Sequence, residues 1–328
     1  MTKAKIIGDQ SVLSTQGLTV HYKKFCALDD LSLNIKAGEI IGIIGPNGAG
    51  KTSFIKALCG RTDVSKGTLK INSQLIRKGQ KRQRLIGLVP QDIGLYPHMT
   101  ARENLLSFAK IMGMRGRRRR REAVAKGLAA VEMNHKSEAL VSELSGGMKR
   151  RINVAAAIMH EPSILILDEP TAGVDTPARD TVHRLTRKLA QDGMTVLLIT
   201  HELEQIEALC DKLLVLASGK MLAFDTPTKL LSKVYQDKRE VMVRFSKPPQ
   251  GPTLEALLPF KFEQAELPTV WTAMTNASEV SFVSAFMASL RGGDALVREI
   301  SVRRPGLNHL MHAIEKTGTL PSPADLAA

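Results

Sequence analysis

The segment Gly45-Pro46-Asn47-Gly48-Ala49-Gly50-Lys51-Thr52 links a short apolar run, Ile40 to Ile44, to a stretch of helical character beginning at Lys51. A glycine-rich turn of this spacing lets several backbone N–H groups converge on phosphate oxygens, with the positive end of the following helix behind them. Lys51 would then reach the outer phosphates, and Thr52 would offer its hydroxyl to Mg²⁺. Read without that chemistry, the same residues make a strand-to-helix turn. A second apolar run, Ser163 to Leu167, ends in Asp168-Glu169. This puts two carboxylates at the carboxyl edge of a buried parallel sheet, where ligands of such sheets bind. Asp168 suits a metal, while Glu169, one residue on and pointing differently, suits a general base that polarises an attacking water.

Two further segments carry polar groups toward the same chemistry. Leu144-Ser145-Gly146-Gly147-Met148 opens a helical pattern that runs to Met159. Its free N–H groups and helix start are aimed at an anion, although serine and glycine also begin helices for purely structural reasons. His201 follows the apolar run Val196 to Ile199 and Thr200, one helix and one strand beyond Asp168-Glu169.

In this order and spacing the segments resemble the ATP-binding cassette of ABC transporters over roughly residues 11 to 235. The resemblance implies two cassettes facing head to tail around two ATP molecules. Ser145, Gly146 and Gly147 of each would cap the γ-phosphate held by the other's residues 45–52. It further implies that Gln91 senses Mg²⁺ and faces the permease, that Thr52, Gln91 and Asp168 attend the metal, and that Asp175 crosses the dimer interface. His201 would contact the γ-phosphate, Glu169 would be the base, and Tyr22 would stack on adenine. The fifth signature position is Met148 where better-known members carry glutamine, and Lys149-Arg150-Arg151 follows it. That variant, with Thr171 to Arg179, is similar to bacterial exporter ATPases whose permease is a separate polypeptide.

The elements that must position these groups read as α/β. Gly17 to Val20 and Leu31 to Ile35 suggest an antiparallel β edge, and the parallel core begins at Ile40. Residues 92–160 read as an almost wholly helical subdomain. Strand–helix alternation resumes at Ser163 and closes the P-loop NTPase cassette, residues 1–236. Beyond Asp237 the pattern changes. A βαββαβ order over residues 237–320 predicts a small ferredoxin-like α+β domain, for which the family resemblance implies a regulatory or dimer-supporting role, and 321–328 reads as a disordered tail. In that domain His309 and His312 read as a surface pair, since a metal site would want further ligands.

Composition sets the remaining bounds. The 328 residues suggest about two domains, and 43% apolar content can bury a sizeable core. No run approaches the ~20 apolar residues of a membrane span, and Met1 to Ile7 is too short an apolar run for a secretory signal. Cys26, Cys59 and Cys210 have no metal-ligand or redox spacing and read as reduced packing thiols. A net charge of +14 suits a nucleotide enzyme beneath an anionic membrane surface as well as it suits nonspecific nucleic-acid attraction. The densest run, Arg115 to Arg121, reads as the solvated start of a helix, with a membrane-facing or partner-facing patch as the alternative and no interleaved aromatics to mark nucleic-acid binding. The expectation is therefore a cytoplasmic ATPase subunit, peripheral on the inner face of the membrane. It would form a homodimer with ATP and Mg²⁺ and drive a separate permease for export. An importer ATPase, which would carry a β-barrel-like tail, or a non-transport cassette acting on nucleic acid or ribosomes, are the alternatives.

Overall fold

The computed structural model describes residues 11–77, 82, 84–265, 267–276, 279–290 and 296–321. The readings of the first seven residues and of the tail over 322–328 fall outside them. The chain divides into two compact units, Met1–Pro227 and Thr228–Ala328.

The first unit contains two sheets. Strands β1 (Ser11–Tyr22) and β2 (Phe25–Lys36) form a long antiparallel pair. After β3 (Ile40–Ile44) and helix α1 (Lys51–Leu58), strands β4 (Lys66–Ile71) and β5 (Gln74–Leu75) extend that pair into a sheet of order β2-β1-β4-β5. The expected antiparallel edge is thus a sheet of its own. The second sheet collects β3, β6 (Ile86–Val89), β7 (Ile164–Asp168), β8 (Thr195–Ile199), β9 (Lys212–Ala217) and β10 (Lys220–Asp225) in the order β10-β9-β3-β8-β7-β6. All neighbours in it are parallel except the β9–β10 hairpin. Strands β3 and β8 are buried at every position, as strands covered on both faces must be, which is why they read as unbroken Ile, Leu and Val.

Between β6 and β7 the chain is helical: α2 (Ala101–Ile111), α3 (Arg117–Ala130) and α4 (Gly146–Ile158). The start of α2 is a capping box, Thr100 accepting from the Glu103 N–H while the Glu103 carboxylate accepts from the Thr100 N–H. Arginines 117–121 occupy the first turns of α3, exposed for the most part, with Arg118 paired to Glu122 at 2.8 Å. Helices α5 (Thr176–Gln191) and α6 (Leu203–Leu209) complete the unit.

The second unit begins at Thr228, within α7 (Pro227–Tyr235), ahead of the boundary expected after residue 236. It continues with β11 (Arg239–Phe245), α8 (Gly251–Leu257), β12 (Glu263–Gln264), β13 (Val270–Thr275), α9 (Glu279–Ser289), β14 (Val297–Arg303) and α10 (Leu307–Thr317). From β11 to β14 the chain order is βαββαβ, and the sheet order β12-β13-β11-β14 is wholly antiparallel, the ferredoxin-like arrangement. Its core is aromatic: Phe286 is fully buried, with ring centroids 4.7 Å from Phe262 and 5.4 Å from Phe260. His309 departs from the surface pair expected with His312. Its Nε2 lies 2.7 Å from Oε1 of the buried Glu240, whose other oxygen accepts from Arg303. Burial alone would raise the Glu240 carboxyl, but the His309 and Arg303 hydrogen bonds outweigh that and hold it below its ordinary value.

Because Phe286 belongs to the second unit's core cluster, Phe286→Ala should cost that unit roughly 3–5 kcal/mol, the usual loss for a buried aromatic. Calorimetry of the full chain should show one transition moving down. Nucleotide affinity of the first unit should stay unchanged, and a parallel loss of both would contradict separate cores.

Candidate functional site

The carboxyl ends of β3, β7 and β8 lie side by side, because Ile41 pairs with Leu197 and Leu165 with Val196 in parallel register. The segments leaving those ends therefore share one rim. The glycine-rich loop leaves β3, Glu169 leaves β7, and Thr200-His201 leaves β8. Between them is a cleft of about 650 Å³ lined by residues 47–52, Gln91, Asp168, Glu169 and His201. Sequence positions more than 150 residues apart are brought into one concavity.

The loop needs its glycines. Gly45 has φ 152°, and a Cβ there would sit 2.1 Å from the Leu216 carbonyl oxygen on β9. No side chain can occupy that space. Gly45 and Pro46 do not line the cleft, but their carbonyls accept hydrogen bonds from Lys51 Nζ, at 3.0 Å for Pro46.

Glu169 is held through both its backbone and its carboxylate. Its φ is 48°, in the left-handed region that non-glycine residues seldom adopt. One carboxylate oxygen accepts from the Thr200 hydroxyl at 3.1 Å, and the other from the His201 backbone N–H at 3.0 Å. The His201 ring is largely exposed, with Nε2 3.7 Å from Glu169 Oε1. Asp168 is half-buried, and burial raises its carboxyl above the ordinary value against the pull of Arg150, His201 and Lys51. The oxygens of Thr52, Asp168 and Gln91 are hard donors of the type Mg²⁺ takes alongside phosphates and water, so the donor set fits that ion.

Besides Gly45 and Pro46, five expected site residues do not line this cleft. Ser145 and Gly146 are exposed; the Ser145 hydroxyl caps α4 by accepting from the Met148 N–H at 3.3 Å. Gly147 is packed against α5, where a Cβ would meet Cβ of Ala178 at 2.5 Å. Asp175 caps α5 from the Ala178 N–H at 3.0 Å. Ser145 and Asp175 thus carry the structural helix-capping role, and their exposure leaves them open to a second molecule. Tyr22 also does not line the cleft. Its hydroxyl is 3.0 Å from Thr62, and the exposed ring that does line the cleft is Phe25, across the turn from it.

Two residues were missed by sequence reasoning: Phe25, which its proximity to Tyr22 could have suggested, and Arg150, hidden in a basic run. Arg150 is 3% exposed and touches both Gln91 and Glu169 through their backbone.

The sequence profile described as ABC transporter matches residues 28–172. The chain is 37% identical over 228 residues to the linearmycin resistance ATP-binding protein LnrL of Bacillus subtilis, covering 69% of this chain and 73% of that one. The chain belongs to the ABC transporter ATPase family. It is also 41% identical over 206 residues to the Nod factor export ATP-binding protein I of Burkholderia orbicola, covering 62% of this chain and 67% of that one. Among solved structures, cbiO1 of Clostridium perfringens, part of the ABC transporter complex cbiONQ, aligns with TM-score 0.63 at 26% identity, over 69% of this chain and 92% of that one. A cassette solved as a dimer bound to ADP and Pi aligns with TM-score 0.57 at 26% identity, over 65% and 98%. Among the described residues, no helix of this ABC ATPase is long and apolar enough to cross a membrane.

The raised Asp168 carboxyl gives a prediction of sign. A carboxyl whose folded value lies above its ordinary 3.8 is bound by protons more tightly in the folded state, so ionising it costs stability. Asp168→Asn should therefore melt higher than the parent in Mg²⁺-free, nucleotide-free buffer. The difference should be smallest below pH 3.8 and widen as pH rises through the raised value. A difference independent of pH would show that the charge is not penalised by burial.

Proposed function

We propose that this ABC ATPase is the energy-supplying subunit of an exporter, working as a homodimer on a separate membrane permease. The observation that carries the hydrolytic part is the single cleft holding Lys51, Thr52, Gln91, Asp168, Glu169 and His201. The N–H groups of residues 47–52 bind the phosphates, and Lys51 exchanges its loop carbonyls for phosphate oxygens. Glu169, its carboxylate fixed by Thr200 and the His201 N–H, accepts the proton of the attacking water. The His201 ring faces the terminal phosphate. Phe25, with Tyr22 beside it, offers the ring for the adenine. Mg²⁺, held by Thr52 and Asp168 with Gln91 nearby, would neutralise charge on the transferring phosphoryl group.

Homodimerisation is supported by the position of Ser145 and Gly146, exposed and outside the lining of their own chain's cleft, at a helix start suited to an anion brought by another copy. Asp175 would cross that interface. Export is supported by the relatives named for linearmycin resistance and Nod factor export, and by the α+β rather than barrel-like second unit, to which we assign a regulatory role. The subunit would be peripheral to the inner membrane face through its permease. The transported molecule is set by that permease.

Glu169→Gln should keep ATP binding but lower hydrolysis by roughly 10²–10⁴-fold, the scale of a lost general base, and an ATP-dependent dimer should accumulate on size-exclusion chromatography. Retained turnover would refute Glu169 as the base. In mixed dimers, Lys51→Ala in one copy and Ser145→Arg in the other place both lesions on one composite site, so activity should return relative to either homodimer. A fully active Ser145→Arg homodimer would refute the shared site.

A further inference from the structure

Arg150 lies in the second turn of α4, the helix that Ser145 caps, and is almost wholly buried. An arginine there is costly. Burial depresses its pKa, and it donates no hydrogen bond to a carboxylate among the described residues; Asp168 and Glu169 act on it only through space. Its guanidinium has five N–H donors, and the structure gives it five acceptors, all backbone carbonyls. Nε donates to Pro170 O at 2.8 Å. Nη1 donates to Pro90 O at 2.6 Å and Gln91 O at 3.2 Å. Nη2 donates to Asp168 O at 3.0 Å and to Glu169 O.

These carbonyls belong to two segments that the sheet no longer holds to each other. The β6–β7 ladder ends at Val89 and Leu167, and beyond it the chains carry Gln91 and Asp168-Glu169 into the cleft. Arg150 replaces the missing ladder. Its bond to Glu169 O also fixes the peptide of a residue held at φ 48°, where the orientation of the carboxylate depends on an unfavourable backbone state. The anchor of that fork is α4, whose exposed first residues do not line this cleft.

We infer that Arg150 is a positioning residue that ties the Ser145–Gly147 helix start to Gln91 and Glu169 of the same chain, coupling the two ATP sites of the dimer. When the helix start engages ATP held by the second copy, α4 settles, and the fork sets the Glu169 carboxylate and the Gln91 loop in the chain's own cleft. This rests on the shared-site reading above. Neither Lys149 nor Arg151 can do the same, since both side chains stay partly exposed on the flanks of α4.

Arg150→Lys tests it. Lysine keeps the charge, but its single ammonium cannot span two segments with five bonds. Binding of a fluorescent ATP analogue in the full chain should be preserved, with KM near the parent's. The value of kcat should fall about 10²-fold, the cost of roughly 1 Å of misplacement at a reacting group. The Hill coefficient for ATP should drop from about 2 toward 1, the limits set by two coupled sites and by independent ones. A soluble Arg150→Lys protein with parent kcat and parent Hill coefficient overturns the proposal. Should the variant melt below assay temperature, hydrogen exchange in chains with Arg150 intact decides instead. ATP added to Glu169→Gln should protect residues 88–92 and 166–171 together, and Ser145→Arg introduced into that protein should remove the gain in both. Protection that ignores Ser145→Arg overturns the coupling. Failure of the shared-site reading is seen separately, as a fully active Ser145→Arg homodimer.

Discussion

Everything chemical in this chain depends on strands running the same way. Parallel pairing of β3, β8 and β7 puts their carboxyl ends on one rim, so a loop at residue 45, a carboxylate at 169 and a histidine at 201 meet although they are far apart in sequence. The pairing holds because β3 and β8 are apolar at every position and covered on both faces, with Ile41, Ile43, Leu197 and Leu198 almost inaccessible. A polar residue in either strand would have to find a buried partner. A slip of one residue would move Glu169 by about 3.3 Å, more than a hydrogen bond can bridge.

The parts of this arrangement that were readable in the sequence are those encoded locally. A phosphate loop is eight consecutive residues, and its turn needs glycine where the backbone of β9 comes within contact, as at Gly45. Asp168-Glu169 closing an apolar run, and Ser145-Gly146-Gly147 opening a helix, are likewise short-range signals. The order of strands and helices in the second unit was legible from period changes alone, and the antiparallel sheet order agrees with it. What escaped was set by tertiary contact. Lys149-Arg150-Arg151 reads as one basic run, yet helical phase turns only Arg150 inward. Whether Tyr22 or Phe25 lines the cleft is decided by the turn between them, and Tyr22 is drawn to Thr62, forty residues on. His309 was legible as a histidine on a helix, but Glu240, its partner, comes from a strand at the other end of the unit.

Charge is distributed with the same logic of burial. The arginines opening α3 stand in solvent and tolerate one another because water screens them, at the cost of facing the positive end of a helix dipole. Arg150 is the opposite case, almost wholly buried, while Arg303, itself largely exposed, reaches in to the buried Glu240. Each is committed to a defined acceptor set, backbone carbonyls for one and the Glu240 carboxylate for the other. Residue type is the same in all three places; the surroundings decide whether a guanidinium is a solubilising group or a joint.

The close approach of Gly147 to Ala178 has a consequence for how this chain can change over time. The start of α4 and the start of α5 are separated by less room than one methyl group needs, so the two positions form a lock of fixed total size. Drift at either one is blocked while the other stays as it is. A lineage that placed alanine at 147 would need glycine at 178 in the same step or nearly so, and the pair should vary together across descendants although 31 residues of sequence separate them.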